Sequence, residues 1–222
     1  MRILIVEDEP MLALRLQQTL EAASFAVDVA YDGEEGWHLG DTEAYDAAVL
    51  DLGLPKIDGV SILRKWRESG RTFPVLILTA RSRWSEKMAG FQAGADDYMT
   101  KPFEMDEVVY RLHALIRRTA GHAQPDLTCG GLRLDTLAGR FSVDGAPLQL
   151  TAQEFRILSY LIHHPGKVVS RSELIEHVYD RNFDNDSNVL EVLIGRIRRK
   201  IGADLITTVR GQGYRLAAEP AS

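Results

Sequence analysis

Five residues in the first half of the 222-residue chain have side chains suited to phosphoryl transfer: the carboxylates Glu7, Asp8 and Asp51, the hydroxyl of Thr79 and the ammonium of Lys101. Carboxylates gathered at one point repel one another, and a hard divalent cation with oxygen ligands relieves that repulsion. Coordination by a few carboxylates completed by water describes magnesium. A metal and a lysine together neutralise charge on the equatorial oxygens of a transferring phosphoryl group, and positioning plus electrostatics supply most of the catalysis in such transfers. Asp51 is then the expected nucleophile, with Glu7 and Asp8 holding the metal. Each acidic residue alone reads better as a solvated loop residue; only joint placement makes them a site.

The elements that must supply this placement are short apolar strands alternating with amphipathic helical stretches, the pattern of βα units on a parallel sheet covered on both faces. Strands are predicted at Arg2–Val6, Ala26–Ala30, Ala47–Leu50, Val75–Leu78 and near Tyr98–Met99, with helices at roughly 11–22, 33–39, 59–68, 84–93 and 105–118. Glu7 and Asp8 close the first strand, Asp51 the third and Thr79 the fourth, and Lys101-Pro102 follows the fifth. In open parallel sheets, functional groups collect beyond the carboxyl ends of the strands.

The segment 119–125 is small, polar and Pro-terminated, which suits a linker between domains at 1–118 and 126–222. Beyond it the pattern changes. Leu127–Leu150 reads as short strands with an Asp144-Gly145 hairpin turn, followed by helices near 152–163, 171–178 and 186–201, the last opening after the capping residues Asn185-Asp186-Ser187. Ile206–Val209 and Tyr214–Leu216 form a terminal hairpin. The expected fold class is therefore α/β: a (βα)5 doubly wound parallel-sheet domain followed by a smaller α+β domain.

With 26 basic and 32 acidic residues the net charge is −6, which as an average disfavours a nucleic-acid partner. Resolved by region, residues 1–118 carry 14 Lys/Arg and 20 Asp/Glu, whereas residues 119–222 carry 12 of each. Between Glu191 and Arg215 six basic residues face two acidic ones. In the helix near 186–201, Val189, Leu190, Leu193, Ile194, Ile197 and Ile201 fall on one side at 100° per residue, while Asn188, Glu191, Gly195, Arg198 and Arg199 face away and Arg196 lies on the flank. An arginine-bearing open face fits the DNA major groove, and Arg210 at the hairpin tip fits an adjacent minor groove. A solvated charged face is the competing reading. Gly195 in the helix interior is expected to permit close backbone approach.

The single cysteine, Cys129, excludes an internal disulfide and fits a reducing, cytoplasmic setting. The first apolar run, Ile3 to Val6, ends at Glu7-Asp8-Glu9 and is too short for a signal core or a membrane span. No membrane association is expected.

Residues 1–118 resemble the receiver domain of bacterial two-component response regulators. The resemblance is carried by Ile3-Leu4-Ile5-Val6-Glu7-Asp8-Glu9, Asp51-Leu52-Gly53-Leu54-Pro55 with Asp58-Gly59, Leu78-Thr79-Ala80, and Gly94-Ala95-Asp96-Asp97-Tyr98 leading to Lys101-Pro102-Phe103. It implies phosphorylation of Asp51 by a sensor histidine kinase, with Mg2+ held by Glu7, Asp8, Asp51 and the carbonyl of Gly53. Thr79 and Lys101 would contact the phosphate, the Lys101-Pro102 bond would be cis, and Tyr98 would act as a switch aromatic, strand packing being its alternative role. It also implies a two-fold dimer paired through Lys87 with Glu107, Asp97 with Arg111 and Asp96 with Arg118; Glu107 and Arg111, four apart, could equally pair within their helix.

Residues 127–217 resemble the winged helix-turn-helix of the OmpR/PhoB subfamily. The matching stretches include Leu150-Thr151-Ala152-Gln153-Glu154-Phe155, Val168-Val169-Ser170-Arg171-Ser172-Glu173-Leu174, Arg196-Ile197-Arg198-Arg199-Lys200-Ile201 and Thr208-Val209-Arg210-Gly211-Gln212-Gly213-Tyr214-Arg215. This resemblance implies Arg196 as the leading base reader, Asn188, Arg198 and Thr208 at bases or phosphates, and Arg210 in the wing. Two departures are Gly195, where a polar side chain is usual, and Tyr179, where tryptophan is common. The whole reads as a phosphorylation-controlled transcription regulator that dimerises, binds tandem promoter half-sites and acts on RNA polymerase. It is not expected to be an enzyme beyond phosphotransfer onto its own Asp51. The alternatives are a receiver with an RNA- or protein-binding output, or a magnesium-dependent aspartyl-phosphate phosphatase.

Overall fold

A computed structural model describes residues 1–80, 84–179 and 189–217, giving only the helical backbone for 84–87. Five parallel strands, β1 (Arg2–Val6), β2 (Ala26–Ala30), β3 (Ala47–Leu50), β4 (Val75–Thr79) and β5 (Asp97–Thr100), alternate with helices α1 (Pro10–Ala22), α2 (Gly33–Thr42), α3 (Gly59–Glu68), α4 (Trp84–Gln92) and α5 (Met105–Thr119). The strand order is β2-β1-β3-β4-β5. From β1 the chain first moves outward to β2 and then returns past β1 to β3, so the order reverses between β1 and β3. Helices leaving these strands diverge to opposite faces and leave a crevice at their carboxyl ends.

Every residue of β1, β3 and β4 is buried, which is why these strands read as continuous apolar runs with no polar alternation. Local caps start the helices on one side of the sheet. Asp32 accepts from the amides of Glu34 and Glu35 at α2, and Asp58 accepts from the Ser61 amide at α3. These helices pack so closely that a Cβ on Gly40 would meet the fully buried Trp66 ring at 2.3 Å. α1 and α5 cover the other face, and their apolar cluster continues into the second domain.

That domain begins with an antiparallel sheet, β6 (Asp126–Cys129), β7 (Leu132–Asp135), β8 (Arg140–Val143) and β9 (Ala146–Pro147), paired in sequence order. The β8–β9 turn places Asp144 at φ 49° and Gly145 at φ 81°, both positive as a two-residue hairpin of right-handed twist requires. Helices α6 (Ala152–His163), α7 (Arg171–Val178) and α8 (Val189–Ile201) follow, then the hairpin β10 (Ile206–Val209) and β11 (Gly213–Leu216). Thr151 and Glu154 form a reciprocal capping box at α6. The architecture is a parallel-sheet receiver followed by a winged-helix domain, as expected.

The differences from the sequence expectations are small and sit at element ends. β4 runs on to Thr79, α2 to Thr42, and Thr119, assigned to the linker, is the last residue of α5. The following residues are not a free tether. The His122 amide donates to the Arg117 carbonyl at 3.0 Å, and the His122 ring Nε2 lies 3.0 Å from the His163 carbonyl. The predicted start of α8 at 186 and its capping cluster lie outside the described residues.

The wing is anchored by a backbone exchange between Val169 and Tyr214, at 2.8 and 2.9 Å. Gly213, at φ 145°, makes this approach possible, because a Cβ there would fall 2.0 Å from the Val169 carbonyl oxygen. Gly213→Ala is expected to destabilise the chain by about 2 kcal/mol or more. Urea unfolding measures this; an unchanged midpoint and slope would refute the role given to Gly213.

Candidate functional site

The crevice between β1 and β3 is built by short main-chain ties. The Glu7 amide donates to Ala30 at 3.1 Å and the Asp51 amide to Val6 at 2.9 Å, which aligns the ends of adjacent strands. Gly59 opens α3 directly against this corner; a Cβ there would lie 2.2 Å from the Asp51 carbonyl oxygen. The Asp51 carboxylate also accepts from the Gly53 amide at 3.0 Å, which orients one of its oxygens.

Glu7 and Asp51 are buried and Asp8 is exposed, with one carboxylate oxygen from each within 4.8 Å of the others. Lys101, carried from the end of β5, places its Nζ 2.6 Å from Asp51 Oδ2 and 2.8 and 3.0 Å from the two oxygens of Glu7. Burial pushes the Glu7 carboxyl above its ordinary range and the nearby Asp51 charge adds to that, with Lys101 offsetting part of the rise. For Lys101, burial favours loss of the proton, but the hydrogen bonds to Asp51 and Glu7 outweigh it and its pKa is raised. Three carboxylates against one ammonium leave the crevice electronegative, with a hard oxygen donor set open at Asp8. Such donors fit a small divalent cation.

Thr79 is buried at the end of β4, and its carbonyl accepts from the Lys101 amide at 2.9 Å. The Lys101-Pro102 bond is cis, as expected. Tyr98 is half-buried on β5, its ring centroid 6.4 Å from that of Phe91, and lines a cavity of 230 Å³ with Phe103, Glu107 and Arg111. Of the residues expected at a dimer face, Asp97 and Glu107 both bind Arg111 within the chain, at 2.8 and 2.5 Å. Asp96 binds Arg67 at 3.1 Å, and Arg118 donates to the Ala114 carbonyl. The Lys87 side chain lies outside the described residues.

In the second domain, α8 buries Leu190, Leu193, Ile194, Ile197 and Ile201. Its outer face exposes Arg196 and Arg199 together with Val192, which is 52% exposed. Val192, Arg196 and Arg199 are spaced i, i+4, i+7 and so form one stripe. Sequence reasoning passed over Val192 as an apolar residue, although the same 100° spacing places it beside the arginines. Among the described residues, Gly195 has no heavy atom within 4 Å of where a Cβ would stand, so the close approach expected there is not made by any of them.

Arg198, half-buried on the same helix, reaches back to the wing. It donates from Nε to the Ile206 carbonyl and from Nη2 to Thr208 Oγ1, both at 2.8 Å, which braces the wing on the helix. Lys200 similarly ties α8 to α6 through the Gln149 carbonyl at 2.9 Å and Glu154 at 2.7 Å, and Arg171 pairs with Glu191. Arg210 stands exposed at the wing turn. Asn188 lies outside the described residues. The helix face and wing tip thus present guanidinium groups on a framework held by other basic residues, an arrangement suited to a DNA groove and its phosphates.

Comparison with known proteins agrees with both halves. The family described as response regulator receiver domain matches residues 3–113, and that described as transcriptional regulatory protein, C terminal, matches residues 145–216. The chain is 44% identical to the two-component response regulator PhoP of Pseudomonas aeruginosa, over 96% of this chain and 97% of that protein. It is 42% identical to the response regulator protein PmrA of the same organism, again over 96% and 97%. Among solved structures, a Francisella response regulator receiver domain covers 53% of this chain and 98% of its own length, with 36% identity and a TM-score of 0.51. Among the described residues no helix is long and apolar enough to cross a membrane. An acidic crevice at the strand-order reversal, an arginine-faced winged helix and full-length relatives of the same organisation together show that the chain belongs to the two-component response regulators of the OmpR/PhoB subfamily.

Proposed function

We propose that Asp51 accepts a phosphoryl group from the phosphohistidine of a sensor kinase and that this controls promoter binding by α8 and the wing. The observation that carries the reading is the Lys101 ammonium lying between the Asp51 and Glu7 carboxylates at the strand-order reversal. An Asp51 oxygen attacks phosphorus, the bond to the kinase imidazole breaks, and the phosphoryl charge comes to rest beside Lys101. Glu7, Asp8, Asp51 and the Gly53 carbonyl would hold Mg2+, which would neutralise charge on the phosphoryl oxygens. Lys101 exchanges its Asp51 contact for the phosphate, and the Thr79 hydroxyl donates to another phosphate oxygen. Tyr98 turns inward as Thr79 moves.

The resulting change reaches the face of α4, β5 and α5. There Arg111 exchanges its intrachain partners for Asp97 of a second receiver, and Lys87 with Glu107 and Asp96 with Arg118 complete a two-fold dimer. Exposed pairs of this kind contribute under about 1 kcal/mol each and set register more than affinity. Dimerisation raises the local concentration of the second winged helix, which binds the neighbouring half-site. Arg196 reads bases, with Asn188, Arg198, Thr208, Arg210 and Val192 at neighbouring bases and phosphates, Arg198 also holding the wing in place. The assembled pair presents a surface to RNA polymerase. The protein works in the cytoplasm and does not turn over a free substrate.

Asp51→Asn is expected to abolish acid-labile incorporation of phosphate from a small phosphoryl donor in the presence of magnesium. Full incorporation by that variant would remove Asp51 as the acceptor and reopen the phosphatase reading. Arg196→Ala is expected to weaken duplex binding by about 1–3 kcal/mol and relax sequence preference, with the remaining affinity still falling as salt rises. Electrophoretic mobility shifts on promoter fragments test this, and unchanged affinity and selectivity would move base reading off α8.

A further inference from the structure

The outermost line of α8 carries an apolar side chain, and its place among cations restricts what it can bind. The buried residues Leu190, Leu193, Ile194, Ile197 and Ile201 define one direction on a wheel of 100° per residue. Val192 falls within about 30° of the opposite direction, closer to it than Arg196 does. It is 52% exposed.

Single exposed apolar residues are ordinary on protein surfaces, and taken alone Val192 needs no explanation. Its neighbours make the difference. Arg196 and Arg199 are exposed on the same face, and Arg210 is exposed at the wing turn. Glu191, the acidic residue beside Val192, is paired with Arg171 at the start of α7, so its charge is met within the chain. The surface round Val192 is therefore complementary to phosphate. An apolar protein partner seated there would bury those guanidinium groups without counter-charges, which is costly.

Two properties of the chain suit so short a side chain to contact with a base edge. Valine reaches no further than Cγ, so the helix backbone must come close to whatever it touches. Gly195, three residues on and therefore on the same side of the helix, adds no side chain to hold the helix off. Branching at Cβ also confines χ1 to one favoured rotamer in a helix, so the methyl groups are presented in a fixed place with little rotational entropy to lose.

We propose that Val192 reads the 5-methyl group of a thymine in the major groove, which makes it a specificity-determining residue beside Arg196. The proposal rests on the reading of α8 as the base-reading helix given above. All four bases offer hydrogen-bonding atoms in the major groove, and thymine alone adds an apolar methyl. The Val192 side chain has neither donor nor acceptor, so that methyl is the base-edge feature it can recognise. Arg196 lies four residues further along, about 6 Å down the axis, and successive base pairs are about 3.4 Å apart. The thymine therefore sits within about two base pairs of the base that Arg196 contacts. Enclosing its methyl against Val192 is worth about fourfold in affinity, the usual gain for one buried methylene-sized group.

The test begins with a preferred duplex selected from a random-sequence pool by the full chain. Each thymine of a half-site is then replaced singly by deoxyuridine, which lacks only the 5-methyl group and keeps every hydrogen-bonding atom, and affinities are read by mobility shift. Replacing one thymine within about two base pairs of the Arg196-dependent position is expected to weaken binding about fourfold. Val192→Ala puts a good helix former at an exposed position and leaves the fold intact. It should bind thymine and deoxyuridine duplexes equally, while the selectivity lost in Arg196→Ala is retained. At the same position 5-methylcytosine should bind the natural chain about fourfold better than cytosine does, and Val192→Ala should not distinguish the two. A selected site without thymine in that range, no deoxyuridine penalty, or a penalty undiminished in Val192→Ala would overturn the proposal. If Arg196→Ala also leaves selectivity intact, the base-reading role of α8 falls with it; if only the methyl effect is missing, that role stands and Val192 is not part of it.

Discussion

The placement of one ammonium between two buried carboxylates organises the first domain. Glu7 and Asp51 stand on adjacent strands at the point where strand order reverses, and their repulsion in a partly desolvated crevice needs a compensating cation. Lys101 supplies it from β5, two strands beyond β3. The arrangement holds only if β1, β3, β4 and β5 end at the same level. The parallel register, the ties from Glu7 to Ala30 and from Asp51 to Val6, and the side-chain-free approach of Gly59 all serve that condition. Lys101 is thus the group shared between the two carboxylates.

Basic residues in the second domain divide into those that face outward and those that hold the frame. Arg198 and Lys200 lie on the same helix as Arg196 and Arg199, yet they are spent on the wing and on the start of α6. This bracing ties the outer face of α8, which carries Arg196, to the hairpin whose turn carries Arg210. β1 joins the two halves mechanically. Its carboxyl end leads into Glu7 and Asp8, and its first residue, Arg2, lies against α7.

Much of this was legible in the chain itself. Continuous apolar runs identified β1, β3 and β4 because strands buried on both faces need no polar alternation. Asp144-Gly145 marked its hairpin because both turn positions require positive φ. The carboxylate site was legible because its members all follow strands, so periodicity alone placed them at one edge. The bonds from Arg198 to the wing were not legible, because helical spacing shows which way a residue leaves the axis but not that a long side chain can fold back onto a later strand. The intrachain hold of Arg111 on Asp97 and of Arg67 on Asp96 was equally hidden, since a pattern of opposite charges does not reveal whether partners meet within one chain or across two.

The sequence by itself determined the element order, the α/β and winged-helix architecture and the identity of the acidic crevice, because these follow from hydrophobic period, turn chemistry and strand-end position, all local properties. Tertiary structure alone decided that Lys101 bridges Glu7 and Asp51, that Arg198 and Lys200 brace while Val192 and Arg196 face outward, and that His177 of α7 meets Asp46 where Arg2 reaches the Glu176 carbonyl. Those facts depend on residues tens to more than a hundred positions apart coming within a few ångströms, which only packing of whole elements against one another establishes.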